Sequence, residues 1–279
     1  SFYRKCNLVI DYIVADAPKR SELAERSGHC GYYACDICEG KAEIVTKPGG
    51  TSKKLAWPSS EKGPLRSHYD TLRVAENLER YTKEQAKGVT GKSLLFKIPN
   101  FDIIQDLVPE YMHFICLGVV KTLVLASFDI SDRITKHTTK RGRGTTGTTS
   151  GKKYSTDHLS SGLTKIRVPS EITGKPRPLD PAVWKAQEYR NLILIYFPVI
   201  LQCIPATDKQ AKELWTSLAF LVRAYCLPDE EFALISPQLL SRLSKRVVDL
   251  IRIVHGGWNC TYNVHHLLHL DQIRRNGPL

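Results

Sequence analysis

Gly28-His-Cys-Gly-Tyr-Tyr-Ala-Cys-Asp-Ile-Cys-Glu-Gly40 decides how this chain is read, because it sets two cysteines two residues apart inside a glycine-punctuated turn. Cys35-x-x-Cys38 is half of a tetrahedral zinc site, since two thiolates at this spacing can face one Zn²⁺ at about 2.3 Å. The glycines at 28, 31 and 40 favour such a knuckle over a merely apolar cysteine pair. Two completions are open. A local one takes His29 or Cys30. A distant one takes His265 and His269 from Asn263-Val-His-His-Leu-Leu-His-Leu270. Spaced four apart on a helix, those two imidazoles share one face about 5–6 Å from each other, and His266 points elsewhere. The alternative to any metal is a buried thiol pair and a separate surface histidine pair.

Upstream of the knuckle, residues 6–15 are apolar and partly β-branched, which predicts a strand ending at Ala15-Asp16-Ala17-Pro18 and leaves Asp16 at its C-terminal edge. Ser21 reads as the N-cap of a short helical turn over 21–26, with Glu22 in its first turn. Downstream, two strand-like pieces within 42–57 flank Pro48-Gly-Gly50, a hairpin signal. Residues 70–87 read as a solvated helix. Gly88-Val-Thr-Gly-Lys-Ser93 lacks the leading glycine of a phosphate-binding loop, having Ala86 in its place, and reads as a turn. Helical tracts are predicted over 101–126, 181–206, 208–226 and 237–254, with Asp180-Pro181 as a helix start and a further short helix near Asn263.

The 279 residues carry 40 Lys and Arg against 28 Asp and Glu, a formal net charge of +12. With 42% hydrophobic and 24% charged residues the composition is that of a folded globular chain and excludes wholesale disorder. The longest apolar runs, 114–126 and 192–204, are broken by Lys121 and by Pro198 and Gln202, so a membrane span is not expected. Eight cysteines spread along so long a chain do not form the framework of a small secreted module, which points to an intracellular, reducing setting. The single methionine, Met112, and Ser1 at the first position read as part of a longer frame. The positive balance favours a polyanionic partner. Residues 133–153, Gly/Thr-rich and holding seven Lys or Arg, form a basic loop or linker whose Lys136, Lys140, Arg141, Arg143, Lys152 and Lys153 are candidate DNA-backbone contacts. The residues alone therefore give a little β-structure, a cysteine knuckle and a mostly helical body: α+β, mostly α.

Asp16-Ala-Pro with the 28–40 stretch resembles the Asp-Ala-Pro-Ala-Arg … Gly-His-x-Gly-Tyr-Tyr-x-Cys-x-x-Cys segment of CACTA-type DDE transposase-domain proteins, relatives of the V(D)J recombinase core. The resemblance continues in order through Glu110-Tyr-Met-His-Phe-Ile-Cys-Leu-Gly-Val-Val-Lys121, Lys175-Pro-Arg-Pro-Leu179, Trp184-Lys-Ala-Gln-Glu-Tyr-Arg190, 263–270 and Gly277-Pro-Leu279. It implies a piece of an RNase H-like core over 1–60, with the strand carrying Asp16 and a zinc knuckle. It further implies a large α-helical insertion over 61–260, and a histidine-pair helix returning to the core over 261–279. By position Asp16 matches the second catalytic acid and would hold Mg²⁺, while Cys35, Cys38, His265 and His269 match one structural zinc site. The first acid would then precede Ser1 and the last glutamate would follow Leu279. Two departures stand out: Lys19 where the family commonly has alanine, and Glu110 where many members have aspartate. A rival assignment makes Asp16, Glu110 and Glu188 the three acids, although Glu110 and Glu188 fall in tracts read as helical. The implied activity is metal-dependent cleavage and transfer of DNA strands. The implied partners are transposon ends and target DNA, the implied state a homo-oligomer on DNA, and the implied location nuclear. The competing reading is a non-catalytic, transposon-derived, zinc-stabilised module that binds DNA or protein.

Overall fold

A computed structural model describes residues 9–130, 153–168 and 175–274. The chain is α+β, with about half of it helical and only small two-stranded sheets. Strand β1 (Ile13–Ala15) leads directly into helix α1 (Ala17–Leu23), and Asp16 at the junction is the N-cap, its Oδ1 accepting the Lys19 amide at 2.9 Å. The cap is thus Asp16 and not Ser21, whose hydroxyl donates back to the Ala17 carbonyl at 3.0 Å inside the helix. Pro18 in the first turn explains the early start: its fixed φ suits the first helical turn, and its missing N–H would be unsatisfied there anyway.

The expected hairpin is present, with β2 (Glu43–Thr46) pairing antiparallel to β3 (Lys53–Ala56). Helix α2 (His68–Glu76) is capped by Ser67 and covers only the first part of the 70–87 tract. The tract expected to be one helix from 101 divides. Leu107–Pro109 is a buried strand, β4, which pairs parallel to β1 in the register Ile13↔Leu107, Val14↔Val108, Ala15↔Pro109. A π-helix, Met112–Val120, then runs straight into helix α3 (Lys121–Ser127). With three residues between Asp106 and Glu110, this strand is too short to show a period of its own, and Pro109, which cannot sit inside a helix, is the residue at which the tract divides. Gly118 lets this π-helix lie against Asn263, because a Cβ there would collide with the asparagine amide.

The body consists of helices Thr156–Thr164, Ala186–Leu194, Phe197–Cys203, Lys209–Tyr225 and Pro237–His255. Asp180-Pro181 sits in a turn, and the helix expected there begins at Ala186, where Glu188 Oε2 accepts the Lys185 amide at 2.8 Å. The last two long helices pack through stripes of helical period, Leu214, Leu218, Leu221 and Tyr225 against Leu240, Val247 and Ile251, all buried. Trp215 is fully buried among them. Asp208 and Ser236 cap the two helices, and Gly256 ends the second at φ +77°, a conformation that costs glycine nothing.

After a 3₁₀ turn over Gly257–Asn259, helix Tyr262–His266 tightens into a further 3₁₀ turn, Leu267–His269. The Trp57 amide donates to the Cys260 carbonyl at 2.6 Å, seating this C-terminal segment against the hairpin. Among the candidate DNA contacts, Lys136, Lys140, Arg141, Arg143 and Lys152 lie outside the described residues, and Lys153 is half-buried. No described helix is long and apolar enough to cross a membrane.

Candidate metal centre

The knuckle has almost no regular structure, so its carbonyls need donors from elsewhere. Two buried arginines supply them. Arg26 donates to the carbonyls of Asp36 at 3.0 Å and Cys35 at 2.7 Å, and Arg66 donates through Nε to those of Cys35 and Cys38, both at 3.0 Å. Burial, then the neighbouring Arg26 charge, pulls the Arg66 guanidinium down to about 9. A single bridge between Cys38 and Leu65, with Glu39 N–H to Pro64 O at 2.8 Å, closes the knuckle on the following segment.

Onto this knuckle the C-terminal segment lays two imidazoles. Cys35, Cys38, His265 and His269 are all buried, and their ligand atoms lie within 4.8 Å of one another. His265 Nε2 is 3.3 Å from Cys38 Sγ and 3.3 Å from His269 Nε2. Tetrahedral zinc, with Zn–N of about 2.0–2.1 Å and Zn–S of about 2.3 Å, sets ligand separations of about 3.3–3.8 Å. The two contacts of His265 Nε2, both at 3.3 Å, fall at the short end of that range, and the four ligand atoms together lie within 4.8 Å. Hydrogen bonds around the cluster orient its members as metal ligands need. His269 Nδ1 faces Gln272 Oε1 at 3.3 Å, which places its proton there and turns the Nε2 lone pair inward. The Cys38 amide donates to Cys35 Sγ at 3.4 Å and the Gly40 amide to Cys38 Sγ at 3.3 Å. The Trp57 ring stacks on His265 with centroids 4.4 Å apart.

The electrostatics agree with this donor set. Burial works to raise the Cys35 thiol, yet hydrogen bonds from Cys38 and nearby amides outweigh it and move it below the ordinary thiol range. Burial holds the His265 ring below its ordinary value, against the opposing pull of Cys38, and so favours the neutral, ligating form. The cluster can hold a structural metal such as zinc.

Of the two completions open in the sequence, the structure brings the distant histidines to the cysteines. His29 and Cys30 are exposed and line a separate cavity of about 620 Å³. His266 turns away, with Nδ1 donating to the Tyr262 carbonyl at 3.1 Å.

Asp16 and Glu110 line that same cavity, together with His113, Lys54, Thr261 and Asn263. They follow Ala15 and Pro109, the last paired residues of β1 and β4, and the Glu110 amide donates to the Ala15 carbonyl at 3.0 Å. Glu110 therefore stands at a strand end, not in the helix expected for it. Its carboxylate accepts the Met112 amide at 2.7 Å and the His113 amide at 2.8 Å, and meets His113 Nδ1 at 2.5 Å. Burial would raise this acid, but those amides and the His113 ring hold it below the ordinary carboxylate range. Glu188 lies elsewhere, at the start of helix Ala186–Leu194, ion-paired with Arg177. It does not line the cavity of Asp16 and Glu110.

Several residues that build this region were not singled out from the sequence. Asp36, inside the cysteine pair, is buried with its Oδ2 3.0 Å from Arg20 Nη1, and the Tyr262 hydroxyl donates to it at 2.8 Å. Burial works to raise Asp36, and the Arg20 and Arg26 charges overcome it, leaving its carboxyl below the ordinary range. An ionic residue between two metal-spaced cysteines was the available signal, since buried charge calls for a partner. Nothing in the pattern marked Arg26 or Arg66, whose partners are carbonyls. No protein-family model matches the chain, and no curated protein matches it.

Proposed function

We propose that this chain is the central part of a DDE-type DNA transposase: a piece of an RNase H-like core, stapled by zinc to the far end of a helical insertion. The observation that carries this reading is the parallel pair β1 and β4, which sets Asp16 and Glu110 side by side at its C-terminal end, facing one cavity. The long-range Cys35/Cys38/His265/His269 cluster supports it, as does the order of the sequence blocks that resemble the CACTA-type family. In this reading Asp16 would hold a catalytic Mg²⁺; its Oδ1 accepts the Lys19 amide, and its Oδ2 has no partner among the described residues. Magnesium commonly uses one or two carboxylates plus substrate phosphates, so a single unpartnered carboxylate oxygen lining the cavity would fit that role. Such an ion supplies Lewis-acid activation for attack of water, and then of a DNA 3′-hydroxyl, on a phosphodiester. Zinc is the metal assigned to the buried cluster, and the surplus of positive charge serves the DNA backbone.

The experiment is Mn²⁺ uptake, followed by the EPR signal of free Mn²⁺, in the presence of duplex DNA. Asp16→Asn is expected to weaken uptake at least tenfold while zinc content and DNA affinity hold. Equal uptake by Asp16→Asn, or no DNA binding by the wild-type chain at low salt, overturns the reading.

One observation favours the second reading, a non-catalytic zinc-stabilised module. Asp16, Glu110 and Glu188 all spend carboxylate oxygens accepting amides at the starts of helices, the ordinary structural use of an acid there. DNA binding with no Mn²⁺ uptake is the outcome this second reading expects.

A further inference from the structure

A buried polar chain joins the metal cluster to the Asp16 edge. Asp36 sits between Cys35 and Cys38, and its Oδ2 meets Arg20 Nη1 at 3.0 Å. Arg20 Nη2 donates to the Tyr262 hydroxyl at 3.0 Å, and that hydroxyl donates to Asp36 at 2.8 Å. Tyr262 opens the helix that carries His265. Arg20 belongs to α1, whose cap is Asp16. Three segments, one of them at least 226 residues from the other two, therefore meet at one ion pair, and each also carries a metal ligand or the acid. All three side chains are buried, Arg20 at 2%, Asp36 at 4% and Tyr262 at 6% exposure.

Helix α1 is ill equipped to hold its own place. It has seven residues, too few to be stable alone, and only Arg20 and Ser21 are buried in it. Ser21 spends its hydroxyl within the helix, while Ala17 and Leu23 are only partly buried at the margins of two apolar clusters. Besides its junction with the paired strand β1 and the Ser93 hydroxyl donating to the Leu23 carbonyl at 2.5 Å, Arg20 is its main buried side-chain anchor, and the Arg20 charge has Asp36 as its carboxylate partner. The place of Asp36 in turn follows that of its flanking cysteines.

We infer that Arg20 and Asp36 are positioning residues through which occupancy of the Cys35/Cys38/His265/His269 cluster fixes α1, and with it Asp16. This rests on the metal reading above but not on the DNA chemistry. Coupling of this kind is reciprocal, so breaking the pair also weakens zinc binding.

The test compares amide hydrogen exchange of the zinc-loaded and the chelator-stripped chain. In the wild type, stripping raises exchange across Ala17–Leu23 at least tenfold and leaves helix Lys209–Tyr225 unchanged. The charge-neutral double variant Arg20→Met/Asp36→Leu keeps its zinc, binds it at least fivefold more weakly, and shows no zinc response in α1. Should it fail to fold, Tyr262→Phe carries the test, with the α1 response cut at least threefold. Wild-type α1 exchange that ignores bound zinc overturns the inference. So does a full α1 response in the folded double variant or, where Tyr262→Phe stands in for it, in that single variant. A wild-type chain that binds no zinc at all overturns the metal reading itself, and the inference with it.

Discussion

Cys38 meets His265 across 227 residues of chain, whereas helix Lys209–Tyr225 meets helix Pro237–His255 across residues 226–236 alone. The two regions are built from different materials. At the metal end, buried arginines, an aspartate, two thiols and three histidines are held by directed polar contacts, and little regular structure supports them. In the helical body, leucines, valines and a tryptophan pack on repeating stripes, and the charges stay outside, as in the Glu213–Arg246 pair. Apolar packing is non-directional and survives changes of metal, redox state and moderate pH. The polar end has no such tolerance, because each buried charge or lone pair depends on a few directed partners. Stability and conditional behaviour are thereby assigned to different parts of one chain.

The comparison breaks most severely at the metal. Structural zinc in small zinc-finger peptides contributes about 10–16 kcal/mol at pH 7, and a site of the same ligand set sets the upper scale here. Chelation, or Cys35→Ser with Cys38→Ser, is expected to deprotect the knuckle and the segment from Tyr262 onward in hydrogen exchange. Helix Lys209–Tyr225 should keep its protection. Next comes the body: Trp215→Ala removes a fully buried side chain and should cost about 3–5 kcal/mol in urea unfolding, with zinc stoichiometry unchanged.

The third effect is protonic. Burial, opposed weakly by Asp208, holds His255 down to about 4, with its Nε2 3.2 Å from Ser127 Oγ. Its unfolded value is near 6.5, so between the two values the unfolded chain binds the extra proton. The contribution is complete above about pH 6.5 and is lost as pH falls toward 4. It amounts to no more than about 3 kcal/mol. His255→Gln should flatten that part of the urea-midpoint profile and leave the acid release of zinc where it was. The smallest effect concerns Glu188. Its cap on Lys185 and its pairing with Arg177 predict a loss of about 1 kcal/mol in Glu188→Ala, with Mn²⁺ uptake unaltered.

How far the sequence could be read follows the same division. The tracts 208–226 and 237–254 match helices Lys209–Tyr225 and Pro237–His255 to within a residue, because their apolar period and capping residues agree. The hairpin around Pro48-Gly-Gly50 was equally plain. Strand β4 is too short, at three residues between Asp106 and Glu110, to carry a period, and Asp16 is at once the strand edge and the cap of the next helix. The cysteine pair was legible from spacing, but its partners were not: local and distant ligands satisfy the same spacing rule, and the family resemblance alone favoured His265 and His269. The pairing of Arg20 with Asp36 was not legible for a further reason, although Asp36 between two cysteines hinted at a buried charge. Their meaning lies in a long-range pair, and neither residue repeats with any period.

Zinc content of the purified, reduced chain tests the central claim most directly, measured beside Cys35→Ser/Cys38→Ser and His265→Ala/His269→Ala. A long-range staple predicts about one zinc per chain, lost in both double variants. Zinc retained by a folded His265→Ala/His269→Ala chain would contradict it and return the site to a local knuckle.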